Sequence, residues 1–306
     1  MREYLKKRLL TFIPVLISVV TAVFLIIHLV PGDPVVLMLG ENARAADLEA
    51  LRKQLGLNQP LLEQYVKFWK ELFGGNLGIS IYHREEVLKL ILQKLPATAI
   101  LAFCSLLFSI MIAIPLGILS AIFQRKWPDY IILFTTILGI SMPVFWLGPL
   151  LIILFSVHLK ILPVVGSTNL QNLILPSITL GFGLSALTTR MVRASMVEVL
   201  NQEYIRTAYA KGLNRRKIIL HHALKNTLIP VITILGLQLG ALLGGAIITE
   251  VVFSYPGIGR LLIYSILRRD YPVVQGAILV IALLYLIVNF ITDILYAYVD
   301  PRVRLR

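Results

Sequence analysis

The stretch "EYIRTAYAKGLNRRKIILHHALKNTLIP", Glu203 to Pro230, decides how this chain is read. It is basic, helix-prone and interrupted once by Gly212, and it lies between two long apolar runs. A charge held at the middle of a helix in hydrocarbon costs about 2.5–3.5 kcal/mol on insertion scales. A segment this polar therefore marks a place where the chain leaves an apolar medium, and the flanking runs show what that medium is.

Of the 306 residues, 58% are hydrophobic and only 15% charged, against about 25% charged in a soluble domain. The mean hydropathy is +0.83. The apolar content comes in blocks. "LLTFIPVLISVVTAVFLIIHLV", Leu9 to Val30, holds no acidic residue, lysine or arginine over 22 residues. As a helix it would extend about 33 Å, enough to cross a hydrocarbon core. Similar runs lie near 97–123, 131–157, 172–189, 229–249 and 273–297. These predict an all-α membrane protein with six transmembrane helices. "KKR" before the first run also suits a signal peptide, but the run is too long and "HLVPGDP" after it is no small-residue cleavage site, so a retained helix is expected. The single cysteine, Cys104, lies inside the second run and reads as a buried structural thiol.

The net charge of +13 follows topology. Residues 1–8 carry +3, 125–129 carry +1, 190–225 carry +6 and the tail from Asp300 carries +2, and with six spans all four fall on one side. Residues 31–96 balance eight basic against eight acidic groups, while 158–171 and 250–272 carry +1 each. Lysine and arginine excess in short loops marks the cytoplasmic side, so both termini are expected there and nucleic acid is not implied. The expected organisation is a cytoplasmic tail 1–8, a first helix 9–30, an external helical loop 31–96, a transmembrane domain 97–299 with a cytoplasmic loop at 190–228, and a cytoplasmic tail 300–306.

The external segment "ADLEALRKQLGLNQPLLEQYVKFWKELFGG" has helical spacing in two pieces divided by Gly56 and Pro60. Leu48, Leu51 and Leu55 recur on one piece, and Leu62, Val66 and Trp69 on the other. Such a cap would either pack on the spans or receive an external partner.

The opening stretch reads as a helix–turn–helix hairpin. Gly212 ends the first helix, and Asn214 is placed to cap the second. Ile205 and Ala208 are the apolar positions of one helix, with Ile218, Ile219 and Ala223 on the other. The residues alone leave three readings open: a topology determinant on anionic headgroups, a protein-docking element, or, with little support, a DNA-binding motif.

No G-x-x-x-x-G-K-[ST] run occurs, so any nucleotide chemistry would belong to a partner. "GFGLSA", Gly181 to Ala186, lacks the strand–helix context of a dinucleotide site. The five histidines fit no metal spacing, and no nucleophile–base pair stands out, so neither a metal site nor a catalytic residue is expected. Within the spans, Gly236, Gly240 and Gly244 form a small-residue stripe suited to close helix packing or to a face lining a path. Gln238, Asn289 and Asp293 are the costly polar groups. Gln238 and Asn289 suit a cavity or an interhelical hydrogen bond, and Asp293 suits pairing with a tail arginine. Ser141 and Pro143 in "GISMPVFWLG" suit a local break of the third span, with a kink at Pro143.

"RTAYAKG", Arg206 to Gly212, resembles the EAA-x3-G signature of membrane subunits of ATP-binding-cassette importers, with Ala208 on the second alanine and Gly212 on the glycine. Arg206 and Thr207 replace the leading Glu-Ala, and of a downstream I-x-L-P over His222, Ala223, Leu224 and Lys225 only Leu224 matches. "EYIRTAYAKG", "HHALKNTLIPV" and "EVVFSYPGIGRLL" resemble the dipeptide/oligopeptide/nickel permease family over nearly the whole chain, and "HLVPGDP" points to its B-type subunit. The resemblance implies a type I importer permease fold in a cell inner membrane. It implies that the hairpin couples to a cytoplasmic ATPase through Tyr204, Arg206, Thr207, Ala208, Ala210, Lys211, Gly212, Arg215, Arg216, His222 and Leu224. ATP and Mg would then be bound by two partner ATPase subunits and not by this chain. A homologous C-type permease would complete a heterodimer in the lipid bilayer, and an external solute-binding protein would deliver peptide, glutathione or nickel. Ser141, Gln238, Gly240, Gly244 and Asn289 are the candidates for the translocation path, and Asp33, Tyr255, Pro256 and Gly257 for external docking. An ion-gradient-driven transporter or channel, an intramembrane enzyme and a homodimeric permease remain as alternatives.

Overall fold

The computed structural model describes residues 2–29, 34–40, 43–55, 58–163 and 170–299. They are helical apart from short connections and a lone antiparallel bridge between Ile79 and Glu86. In chain order the helices are α1 (Arg2–Leu29), α2 (Pro34–Leu39), α3 (Ala45–Leu55), α4 (Leu61–Phe73), α5 (Val87–Ile122), α6 (Trp127–Ser141), α7 (Val144–Leu151), α8 (Leu170–Leu200), α9 (Glu203–Ala210), α10 (Arg215–Lys217), α11 (Leu224–Val252), α12 (Ile258–Leu267) and α13 (Tyr271–Val299). A π-helical segment, Ile152–His158, prolongs α7, and another, Ile218–Ala223, joins α10 to α11.

Among the described residues four helices are long and apolar enough to cross a bilayer: α5, α8, the continuous Arg215–Gly244 part of α10 and α11, and Tyr271–Ile294 of α13. The count reaches five if α6 and α7 are one broken span; α1 shows a shorter apolar stretch, Leu10–Leu25. The expected six is thus not reached on length and composition. The third run is broken where Ser141 and Pro143 suggest: α6 stops at Ser141 and α7 restarts after Pro143, at an angle of 105°, larger than a kink. Pro143 has no N–H to continue the helix and disfavours helical geometry at Met142, which is extended with ψ 114°.

Small residues fix how the helices meet. A Cβ on Gly117 would lie 2.6 Å from Val192, one on Gly181 2.6 Å from the Ser105 carbonyl oxygen, and one on Gly139 2.9 Å from Ala186. The α5–α8–α6 contact therefore closes to backbone distance, and Gly181 serves helix packing. Interhelical hydrogen bonds and close van der Waals contact hold such bundles where apolar burial gives little net drive. The outward faces stay apolar: on α5, Leu101 is buried while Phe103, Leu107 and Met111 are exposed. A helix apolar around its circumference suits hydrocarbon.

The ends of the bundle differ. At one end, Val87, Leu90 and Ile91 of α5 pack on Ile258 and Leu262 of α12 and on Val273, Val274 and Ala277 of α13. At the other, Ala121 of α5 and Met196 of α8 pack on the hairpin. At 36 residues, α5 separates these ends by roughly 54 Å. Helix α4 caps the first end. Its packing face is Phe68, Trp69 and Leu72 against Val20 and Val23 of α1, with Tyr65 hydrogen-bonded to Thr21 at 2.7 Å. Leu62 is 75% exposed and Val66 is also exposed. The predicted Leu62–Val66–Trp69 stripe is therefore split, because the aromatic side chains bury more area and take the docked face.

Candidate functional site

The hairpin is built as its sequence suggests, but it points its apolar face inward. Gly212 closes α9 at φ +74°, a conformation that disfavours any side chain. The Asn214 side chain accepts a hydrogen bond from Arg216 N at 3.1 Å and so caps α10. Ile205 and Ala208, three residues apart on α9, meet Ile218, Ile219 and Ala223 in a cluster completed by Ala121 and Met196. The π-helical turn helps, since its wider pitch aligns residues five apart and brings Ile218 and Ala223 to the same side.

Ala208 is consequently only 8% exposed. Of the residues expected to couple to the ATPase, Ala208 turns its side chain into the chain's own core. Tyr204, Arg206, Thr207, Ala210, Lys211, Gly212, Arg215 and Arg216 are exposed, and His222 and Leu224 are half-buried. Tyr204 accepts a hydrogen bond from Asn226 at 2.7 Å, and Arg206 pairs with Glu203 at 2.8 Å on the surface. The hairpin thus offers a polar, basic and tyrosine-bearing face on a rigid apolar base.

That base is fastened by a buried charge pair the sequence reading did not single out. Asp129, at the start of α6, is 1% exposed. It receives Arg193 Nε and Nη2 at 2.7 Å each, the Ser120 hydroxyl at 2.5 Å and Arg125 N at 2.9 Å. A bidentate guanidinium with two further donors satisfies the carboxylate, the arrangement in which burying an ion pair is tolerable. It locks α5, α6 and α8 together one turn from Met196 and Ala121, where the hairpin sits.

The candidate path residues divide. Gln238 is buried between helices, donating to the Leu184 carbonyl at 3.2 Å and accepting from Thr188 at 3.1 Å, so it ties α11 to α8. Gly240 is buried, with a Cβ position 3.0 Å from Tyr285 and 3.1 Å from Asn289, and Gly236 would meet Thr292 at 2.1 Å. These two glycines pack on α13. Gly244 is exposed with nothing within 4 Å, and Ser141 is exposed at the α6–α7 bend.

At the opposite end a second network organises "EVVFSYPGIGR". Glu250 has no exposed surface, and its carboxylate accepts from Thr98 at 2.6 Å and from Arg260 N at 3.0 Å. Thr98 in turn accepts from Ile258 N at 2.9 Å. The carboxylate thus occupies the N-terminus of α12, where unpaired backbone donors and the helix dipole favour it. A Cβ on Gly257 would lie 2.1 Å from Glu250. Tyr255 is 1% exposed and Gly257 buried, so of the predicted docking residues only Pro256 is half-exposed, and Asp33 lies outside the described residues. Asp270 performs a similar service nearby, accepting Ser80 at 2.5 Å and the N–H groups of Ile81 and Tyr82 at 3.3 Å. A signal for these acids existed in the text: each abuts an apolar run, where an unpaired charge would be costly. What partner each takes requires the fold.

Long apolar helices, close glycine contacts and a polar hairpin clamped at one end define an integral-membrane helical bundle. The model of the binding-protein-dependent transport system inner membrane component matches residues 113–305, and its N-terminal companion matches residues 1–102. The chain belongs to that family. It is 43% identical over 304 residues to the glutathione transport system permease protein GsiC of Escherichia coli (strain K12), covering 99% of both chains. The same figures hold for GsiC of Pectobacterium atrosepticum. Among solved structures, an inward-facing MetNI methionine ABC transporter chain matches at TM-score 0.58 and 19% identity, covering 69% of this chain and 96% of that one. An amino acid ABC transporter solved with histidines matches at TM-score 0.50 and 16% identity, covering 70% and 94%. The protein is therefore a multi-pass permease subunit of an ATP-driven importer, not its catalytic subunit.

Proposed function

We propose that this chain is the B-type half of a heterodimeric inner-membrane permease that imports a peptide-like solute, with glutathione the first candidate. Identity of 43% along the whole length of glutathione permeases supports that substrate class. The hairpin, by this reading, faces the cytoplasm and seats in one of two ATPase subunits, which bind ATP and Mg. Six spans place both termini on that side, with α1 and the α6–α7 pair completing the count. A C-type partner supplies the other wall of the path, and an external solute-binding protein delivers the solute. ATP-driven closure of the ATPases moves the hairpin, and the buried Asp129–Arg193 clamp passes that movement to α5, α6 and α8 as a unit. The observation that carries the proposal is this clamp beneath an exposed basic hairpin.

Proteoliposomes containing the chain and its partners test it. Uptake of labelled glutathione and of di- and oligopeptides should require ATP inside and the binding protein outside. Uptake driven by an ion gradient without ATP would overturn the reading in favour of a secondary transporter.

A further inference from the structure

Between the start of α5, the Tyr82–His83 turn and α12 lies a pocket of about 280 Å³ lined by His83, Lys94, Arg260, Tyr264 and Arg268, with Pro256 and Gly257 at its edge. Among the described residues no carboxylate lines it. We infer that this pocket receives acidic side chains of the external solute-binding protein and so guides its docking; the inference rests on the importer reading above.

The two guanidinium groups are held without being neutralised among the described residues. The Arg260 guanidinium donates to the Ser254 carbonyl and lies 5.2 Å from the centre of the Tyr264 ring. The Arg268 guanidinium lies 3.9 Å above the Tyr82 ring. Lys94 makes no ion pair among the described residues. Neighbouring acids are committed elsewhere: Glu250 to Thr98 and Arg260 N beneath the pocket, Asp270 to the Ser80 turn, and Glu85 to Lys89 at 3.3 Å. Three cations sharing one shallow pocket repel each other, and among the described residues no salt bridge offsets that. Their position sharpens the point. On the external side of a membrane protein, short loops are where lysine and arginine are scarce, yet here they converge from α5 and from both ends of α12.

Aromatic faces hold guanidinium groups in fixed planes, which suits the two-point recognition of carboxylates. The walls are formed largely by turns and by α12, away from the outward-facing stripe Phe103–Leu107–Met111 of α5. An acidic protein surface therefore fits better than a lipid headgroup. Charges of this kind at the rim of an interface act mainly on the association rate and its salt dependence.

The assembled transporter in nanodiscs of phosphatidylcholine, mixed with its solute-binding protein, gives the test. Association rates are measured from low to high ionic strength for wild type, Lys94→Gln, Arg268→Gln and the double variant, with Arg268→Lys as the charge-keeping control. The double variant should associate about tenfold more slowly at low salt with a flatter salt dependence, basal ATPase activity should be unchanged, and Arg268→Lys should keep the wild-type slope. Equal rates and slopes in all variants would overturn the inference while leaving the importer reading intact. Unchanged association with a raised KM for solute would overturn it in favour of the solute's own carboxylate. A difference that appears only in nanodiscs containing phosphatidylglycerol would overturn it in favour of lipid. A wild-type complex that binds no external protein at all would remove the importer reading as well.

Discussion

The Asp129–Arg193 clamp makes a quantitative prediction. Asp129 is 1% exposed and collects four hydrogen bonds, while the Arg193 side chain keeps 23% of its surface in contact with solvent. Removing one partner of a buried pair costs about 3–5 kcal/mol, because the other charge is left unpaired. The two truncations should not be equal. In Asp129→Ala the guanidinium can turn toward its open side, and the Ser120 and Arg125 donors each lose an acceptor, so about 3 kcal/mol is expected. In Arg193→Ala the carboxylate stays enclosed with two neutral donors, and the cost should approach about 4–5 kcal/mol. The double variant should cost about 5 kcal/mol, leaving a coupling energy of about 2–3 kcal/mol. Reversible unfolding titrations of the four proteins in mixed micelles measure each value. A coupling below about 0.5 kcal/mol, as for a surface pair, or Asp129→Ala proving the more damaging, would refute the picture of a buried clamp.

The glycine stripe on α11 should behave unequally: Gly236→Ala, whose Cβ would meet Thr292 at 2.1 Å, should destabilise by about 1–3 kcal/mol, whereas Gly244→Ala should shift the thermal midpoint negligibly. Thr98→Val leaves Glu250 and Ile258 N each short of a partner and should cost about 2 kcal/mol, measured by the same unfolding titration, with Thr98→Ser largely restoring stability. Asp270→Ala releases the Ser80–Tyr82 turn; limited proteolysis should then cut near residues 80–84 while the helices of the bundle stay intact.

The all-helical architecture and the hairpin were legible because long uncharged runs, the Gly212 stop and the Asn214 cap are local signals. The same holds for the inward positions Ile205, Ile218, Ile219 and Ala223, which follow helical spacing. What faced them was not legible. Ala208 looked free to meet a partner, yet it is buried in a cluster with Met196 of α8 and Ala121, which is far away in the chain. Pro143 announced a break but not its size, since the 105° angle depends on what α7 packs against. Tyr255 and Gly257 read as surface because they lie in a loop, whereas a buried Glu250 draws that loop inward. Acids such as Asp129 and Asp270 counted only as loop charge until their distant partners were in view.

The most direct test of the central claim is to tag this chain, extract it gently from native membranes and identify what co-purifies, beside a Gly212→Val control. Gly212 sits at φ +74° with nothing within 4 Å of a new Cβ, so the control strains the turn by about 1–3 kcal/mol without a clash. The account predicts that wild type brings a second permease and ATPase subunits, and that the control keeps the permease but loses the ATPases. A control that retains the ATPases and imports at the wild-type rate would contradict it.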